Sequence, residues 1–145
     1  EFNARFGDPE TQVVLRRLTS SLSGLLYKAA TGQLNGAATP DFTKDVAITV
    51  VLASEGYPDT SAPNRPISGL EEAEETGVEI CHAATAAGLD DTDEYVLLAT
   101  GGRVLSVVAT GTDFASARKQ AYAGIEKIQL EGSHYRSDIA AKVAN

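Results

Sequence analysis

The chain has 145 residues, of which 43% are hydrophobic and 22% are charged, a composition typical of a folded globular protein. Its 12 basic and 20 acidic side chains give a net charge of −8, so nucleic-acid backbones and anionic lipid surfaces would repel it. The longest strongly apolar stretch, residues 46–53, is too short to cross a bilayer. We therefore expect no nucleic-acid partner and no membrane association.

Two features of the composition bear on location and completeness. Cys81 is the single cysteine, so it cannot form a disulfide within the chain, and a reducing, cytoplasmic setting is expected. The chain contains no methionine and opens on Glu1. We expect either that an initiator methionine has been removed or that the chain is part of a longer protein.

The first predicted element is a long helix that begins at Asp8, Pro9 and Glu10. Asp8 is expected to cap the free amides of the first turn, and Pro9 suits the first helical position because no N–H is needed there. The helix is expected to end at Gly32 or Gly36. Apolar residues recur every three or four positions and predict one buried stripe: Val14, Leu15, Leu18, Leu22, Leu25, Leu26 and Ala29.

A stretch rich in Gly and polar residues, 32–44, then predicts a boundary between two parts of the chain. Beyond it, hydrophobic patterns predict four strands and one short acidic helix. The strands are expected at residues 45–53, 78–82, 94–100 and 103–109, and the short helix at 69–76.

The last two predicted strands are joined by Gly101 and Gly102, a pair typical of a tight hairpin turn. Thr112 is expected to cap a closing helix that runs to about Gln129, and the tail, 133–145, is expected to be partly helical. A long helix followed by a mostly antiparallel β region and a closing helix predicts the α+β class.

Three polar side chains at the start of the chain form a candidate metal site. If residues 1–5 are extended, Glu1, Asn3 and Arg5 share one face. A carboxylate and an amide oxygen can both bind Mg²⁺, and a guanidinium beside them could hold a phosphate or an acyl phosphate. A Glu-x-Asn pair also arises by chance, and Glu-Phe can be a cloning remnant, so the pair alone leaves these alternatives open.

The longer string that contains these residues is more specific. Residues 1–12, Glu-Phe-Asn-Ala-Arg-Phe-Gly-Asp-Pro-Glu-Thr-Gln, closely resemble the signature of the phosphoribosylamine–glycine ligase (glycinamide ribonucleotide synthetase) family, within the ATP-grasp superfamily. Residues 46–58, 80–85, 101–105 and 134–139 are similar to further motifs of that family. Ala84, where glycine is usual, and Ser106 are minor departures.

The resemblance implies an architecture for the chain. Residues 1–36 would be the C-terminal segment of an ATP-grasp domain, comprising its last metal-binding strand and one core helix. Residues 37–145 would be the small C-terminal domain, a rudimentary single-hybrid, barrel-sandwich-like β structure with a closing helix. The family's N-terminal and nucleotide-binding domains would lie upstream of residue 1, and no phosphate-binding Gly-rich loop occurs within the chain.

The resemblance also implies an activity. The family joins glycine to 5-phosphoribosylamine in purine biosynthesis: ATP phosphorylates the glycine carboxylate, and the amine attacks the acyl phosphate. Glu1 and Asn3 match the residues that hold Mg²⁺ or Mn²⁺ on the ATP phosphates, and Arg5 matches one that steadies the phosphorylated intermediate. Without the upstream domains the isolated chain is expected to be inactive.

The alternative hypothesis is a free-standing, non-catalytic module that binds a ligand or regulates another protein. Other polar residues are given structural interpretations. His82 is expected to be a packed, hydrogen-bonded histidine, and Cys81 a small buried hydrophobe rather than a reactive thiol. Ser133, His134 and Asp138 are not expected to form a catalytic triad.

Overall fold

The computed structural model describes residues 4–90 and 92–144. The helices within this part of the chain are α1 (Glu10–Arg17), α2 (Leu22–Ala30), α3 (Leu70–Glu74) and α4 (Phe114–Ile125). The strands are β1 (Val46–Ala53), β2 (Arg65–Ile67), β3 (Glu79–His82), β4 (Thr85–Leu89), β5 (Tyr95–Ala99) and β6 (Arg103–Gly111). The predicted combination of helices with an antiparallel β region is confirmed.

The strands form two three-stranded antiparallel sheets, ordered β1-β6-β3 and β2-β5-β4. β6 is the central strand of the first sheet, and all its residues from Val104 to Ala109 are buried, so both of its faces are covered. α4 packs against β1 and β6 with Ala117, Ala121 and Ile125, which are almost fully buried. The core is therefore centred on β6. Burying each large apolar side chain there stabilises the fold by about 1.5–3 kcal/mol.

The hairpin predicted at Gly101 and Gly102 is wrong. β5 and β6 do not pair with each other, because the glycine pair carries the chain from one sheet to the other. Ser54 donates its amide to the Gly102 carbonyl at 2.7 Å. A Cβ on Gly102 would lie 2.4 Å from Cδ2 of Tyr57. Glycine is needed at position 102 because the Tyr57 ring lies against the backbone there, not because the chain makes a tight turn.

The single long helix predicted after residue 8 is also wrong, because the chain forms two helices with a break between them. Leu18 is extended and bridges Phe42, while the Thr19 amide donates to the Asp41 carbonyl at 2.9 Å. The backbone around Leu18 therefore pairs with a distant segment instead of continuing the helix. Ser21 then caps α2 by accepting a hydrogen bond from the Gly24 amide.

The remaining differences concern the ends of elements. α4 is capped by Asp113, not Thr112, in a reciprocal pair of hydrogen bonds with Ser116, and it ends at Ile125. The tail forms turns but no α-helix over residues 133–144. β2 and β4 were missed. β2 is only three residues long and contains Pro66, while β4, Thr-Ala-Ala-Gly-Leu, has weak strand propensity and is held by pairing with β5.

Candidate functional site

The structure describes only part of the predicted metal-binding segment. The predicted ligands Glu1 and Asn3 lie outside the described residues. Arg5 lies in a bend with an exposed side chain, and its Nη1 donates to the Phe6 carbonyl oxygen at 2.8 Å. The described end of the predicted strand is therefore not extended, and the shared face of the three side chains stays a prediction.

The turn after Arg5 is organised around Asp8. This residue does not cap α1, whose N-terminus at Pro9 has no side-chain cap. Instead, Asp8 Oδ1 accepts a hydrogen bond from Gln12 Nε2 at 2.8 Å. Nη1 of Arg103 donates to the Asp8 carbonyl oxygen at 3.2 Å and lies 3.4 Å from Asp8 Oδ2. The segment that precedes α1 is thus attached to the first residue of β6, 95 positions later in the chain.

A cleft of about 430 Å³ lies beside this turn, between α1 and the edge strand β3, and Gln12, Arg16, Glu79 and Cys81 contribute to its walls. Arg16 and Glu79 form an ion pair across it. Gln12 Oε1 is buried and has no hydrogen-bond partner among the described residues. Burial raises the pKa of the Cys81 thiol, and the Glu79 carboxylate adds to the rise while Arg16 opposes it. The thiol is therefore protonated at neutral pH. Cys81 is only half-buried, however, and not the buried residue that was predicted, because β3 is an edge strand.

The other candidate residues are engaged in local contacts. His82 is hydrogen-bonded to Thr85 Oγ1 at 3.0 Å, as predicted, but it is exposed rather than packed. Asp138 is paired with Arg136 through two bonds of 2.7 and 2.8 Å, and not with His134, so no triad is formed. Within residues 4–90 and 92–144, no group of three or more His, Cys, Asp or Glu side chains could hold a metal ion.

Sequence reasoning missed the contact between Arg103 and Asp8, although Arg103 belongs to the family-like motif at residues 101–105. The available signal was an arginine directly after a glycine pair and at the start of a strongly apolar strand. Nothing in the local pattern indicates a partner near the other end of the chain, because the contact depends on how β6 and α1 pack.

Comparison with known proteins gives the family. Residues 47–142 match the family model described as phosphoribosylglycinamide synthetase, C domain. The chain belongs to the phosphoribosylamine–glycine ligase family. A relative from Leifsonia xyli subsp. xyli, named phosphoribosylamine–glycine ligase, is 57% identical over 143 residues, which are 98% of this chain and 34% of the relative. Since this match extends beyond residues 47–142, it includes α1 and α2.

A more distant relative and a solved structure carry the same ligase name. A chloroplastic phosphoribosylamine–glycine ligase from Arabidopsis thaliana is 47% identical over 96% of this chain and 26% of its own length. The crystal structure of a phosphoribosylamine–glycine ligase from Thermotoga maritima superposes with a TM-score of 0.73 and 35% identity, over 95% of this chain and 32% of that one. The chain thus spans about a quarter to a third of the length of these relatives. None of its described helices is long and apolar enough to cross a membrane.

Proposed function

We propose that the chain is the C-terminal part of an ATP-dependent ligase that joins glycine to 5-phosphoribosylamine in purine biosynthesis. The match to the Leifsonia xyli ligase over 98% of the chain carries this proposal. It is supported by the family model, which names a C domain, and by the signature in residues 1–12. The cytoplasm, where free thiols stay reduced, is the proposed location.

The reaction has two steps. The terminal phosphoryl group of ATP passes to a carboxylate oxygen of glycine, and ADP leaves. The amine nitrogen of 5-phosphoribosylamine then attacks the carbonyl carbon of the glycyl phosphate, so that an amide bond forms and phosphate leaves. Because negative charge is concentrated on the transferring group, catalysis depends on positioning and on neutralising that charge.

Glu1 and Asn3 are the proposed metal ligands, and the chemistry of this donor set fits the role. Carboxylate and amide oxygens are hard donors that suit Mg²⁺ or Mn²⁺, and Mg²⁺ is commonly held by one or two protein groups together with phosphate oxygens. The bound ion would neutralise phosphate charge. Arg5 is proposed to steady the glycyl phosphate; its bond to Phe6 uses only one of the five N–H donors of the guanidinium.

The proposed division at residue 36 assigns α1 and α2 to the ATP-grasp domain, and residues 37–145 to a small single-hybrid-like domain. The exposure of α2 supports this division. None of its residues is buried by the rest of the chain, and Leu26 and Tyr27 are 51% and 66% exposed. Exposed apolar side chains on a helix with no buried residue are expected to be covered by further domains. The isolated chain is therefore proposed to lack ligase activity.

A chimera tests the function. The chain is fused to the upstream two thirds of the Leifsonia xyli relative, and ADP release that requires both glycine and 5-phosphoribosylamine is measured. We expect activity in the chimera and none in the 145-residue chain. Glu1→Gln and Asn3→Ala should each lower turnover by on the order of 10²–10³, as for other groups that stabilise developing charge.

Glu72→Gln, on the exposed side of α3, is the matched control and should leave turnover unchanged. A folded chimera without substrate-dependent ADP release would contradict the proposed function. Full turnover in both Glu1→Gln and Asn3→Ala would contradict the metal-binding role alone.

A further inference from the structure

One contact joins the proposed catalytic segment directly to the β-sheets. Arg103 Nη1 donates to the Asp8 main-chain carbonyl at 3.2 Å, and it also lies 3.4 Å from the Asp8 carboxylate. The second contact is an ion pair between side chains that are each 43% exposed, which contributes little by itself. The hydrogen bond to the main chain matters more, because it restrains the course of the backbone.

The backbone of Arg103 is held firmly. Arg103 pairs with Ala53 of β1, and its carbonyl accepts a hydrogen bond from the Ala84 amide at 3.1 Å. On one side the Gly102 carbonyl is bonded to the Ser54 amide at 2.7 Å, and on the other Val104 is fully buried. The guanidinium therefore extends from a rigid point of the fold.

The turn at Asp8 lies close to the proposed site along the chain. It is three residues beyond Arg5, a separation that spans at most about 10–11 Å. A second bond, from the Thr11 amide to the Gly7 carbonyl at 3.3 Å, links the turn to α1. A restraint on the Asp8 carbonyl therefore also limits the movement of the residues just before it, which include Arg5 and follow the proposed metal ligands.

We infer that Arg103 is a positioning residue that holds residues 4–8, the described part of this segment, in place from the β-sheets. By this inference the C-terminal domain contributes to the site by fixing its geometry, without touching substrate. The catalytic consequence rests on the proposed function, whereas the restraint on residues 4–8 does not. Groups that orient metal ligands typically change metal affinity or activity by about 10–100-fold when removed.

Arg16 provides a matched control. It is also 43% exposed, and it also connects this end of the chain to the first sheet, through its ion pair with Glu79 in β3. Arg16, however, lies near the end of α1, eight residues beyond Asp8. If any arginine that attaches α1 to the sheet has the same effect, Arg16 and Arg103 variants will behave alike.

The first experiment measures amide hydrogen exchange in the 145-residue chain. Arg103→Met keeps the aliphatic stem but removes the guanidinium. We expect exchange of the Thr11 amide, which donates to the Gly7 carbonyl, to accelerate by about tenfold or more, while β1 and β6 keep their protection. Arg16→Met should not accelerate exchange of the Thr11 amide. Unchanged exchange of the Thr11 amide in Arg103→Met, or a general loss of protection in both Arg103→Met and Arg103→Lys, would overturn the inference.

The second experiment measures ligase activity in the chimera. Arg103→Met should raise the Mg²⁺ concentration needed for half-maximal turnover by about 10–100-fold and leave KM for glycine nearly unchanged. Arg103→Lys should recover part of the loss, and Arg16→Met should behave as the parent. An active chimera that is insensitive to Arg103→Met contradicts the positioning role but leaves the proposed function intact. An inactive parent chimera contradicts the function, and hydrogen exchange then decides the role of Arg103.

Discussion

Arg65 connects three segments of the chain through a side chain that is only 17% exposed. Its Nη2 donates to Ser54 Oγ at 2.7 Å, its Nε donates to the Ala62 carbonyl at 3.3 Å, and its Nη1 donates to the Glu131 carbonyl. Ser54 is completely buried, so its hydroxyl depends on partners within the fold. A single guanidinium thus closes the loop between β1 and β2 against the segment after α4.

Replacing Arg65 by Met should lower the free energy of unfolding by about 1–3 kcal/mol, because it leaves partly buried polar groups without their donor. Urea denaturation followed by circular dichroism measures the change. Arg136→Met removes a guanidinium of similar size from an exposed ion pair and should have no measurable effect. Equal losses in the two variants would show that the network around Arg65 adds nothing beyond a surface pair.

At the scale of elements, the entry into α3 depends on close backbone packing. Gly69 has φ of +80°, and a Cβ there would lie 2.1 Å from the Lys127 carbonyl oxygen. The neighbouring Ser68 bridges Gln129, so the chain after α4 crosses directly over this turn. Gly36 offers a comparison, because its φ of +76° is nearly the same but no atom of the described residues lies within 4 Å of its Cβ position.

Gly36→Ala should therefore lower the free energy of unfolding only through backbone strain, by about 1 kcal/mol. Gly69→Ala should lower it by a further amount of about 1–3 kcal/mol, because the added Cβ displaces the Lys127 backbone. The difference between the two variants isolates the steric contribution from the conformational one. Thermal and urea unfolding of both variants provide the measurement. Similar stabilities for the two would contradict the close packing of α3 against the segment after α4.

At the scale of the whole molecule, stability is unevenly distributed. The buried core lies in residues 48–130, whereas α2 contributes no buried residue. A nine-residue helix with no buried residue is marginal in water, because most helical stability comes from tertiary contacts. Local unfolding of α2 should thus require much less free energy than opening of the core strands.

Hydrogen exchange should show this gradient in the 145-residue chain, with α2 amides exchanging fastest among the helices and β6 amides slowest. In the chimera with the upstream two thirds of the relative, we expect α2 to gain at least tenfold protection while β6 changes little. Equal protection of α2 in the two proteins would contradict the assignment of residues 1–36 to the ATP-grasp domain.

Sequence patterns predicted those elements whose formation depends on neighbouring residues. The β-branched runs at β1 and β6, the alternation at β3 and the apolar spacing of α4 identify these elements because each pattern matches its type of backbone. The same local information placed the α3 helix within residues 69–76. The twelve-residue signature at the start of the chain indicated the family, which the comparisons confirmed.

Tertiary structure decided which strands pair, where the first helix breaks and what holds the candidate site. Gly101 and Gly102 favour a hairpin locally, but burying β6 between β1 and β3 separates it from β5. Leu18 continues an apolar stripe, yet its backbone pairs with Phe42. The bond between Arg103 and Asp8 spans 95 positions. These outcomes depend on contacts between distant segments, which only packing of the whole chain brings together.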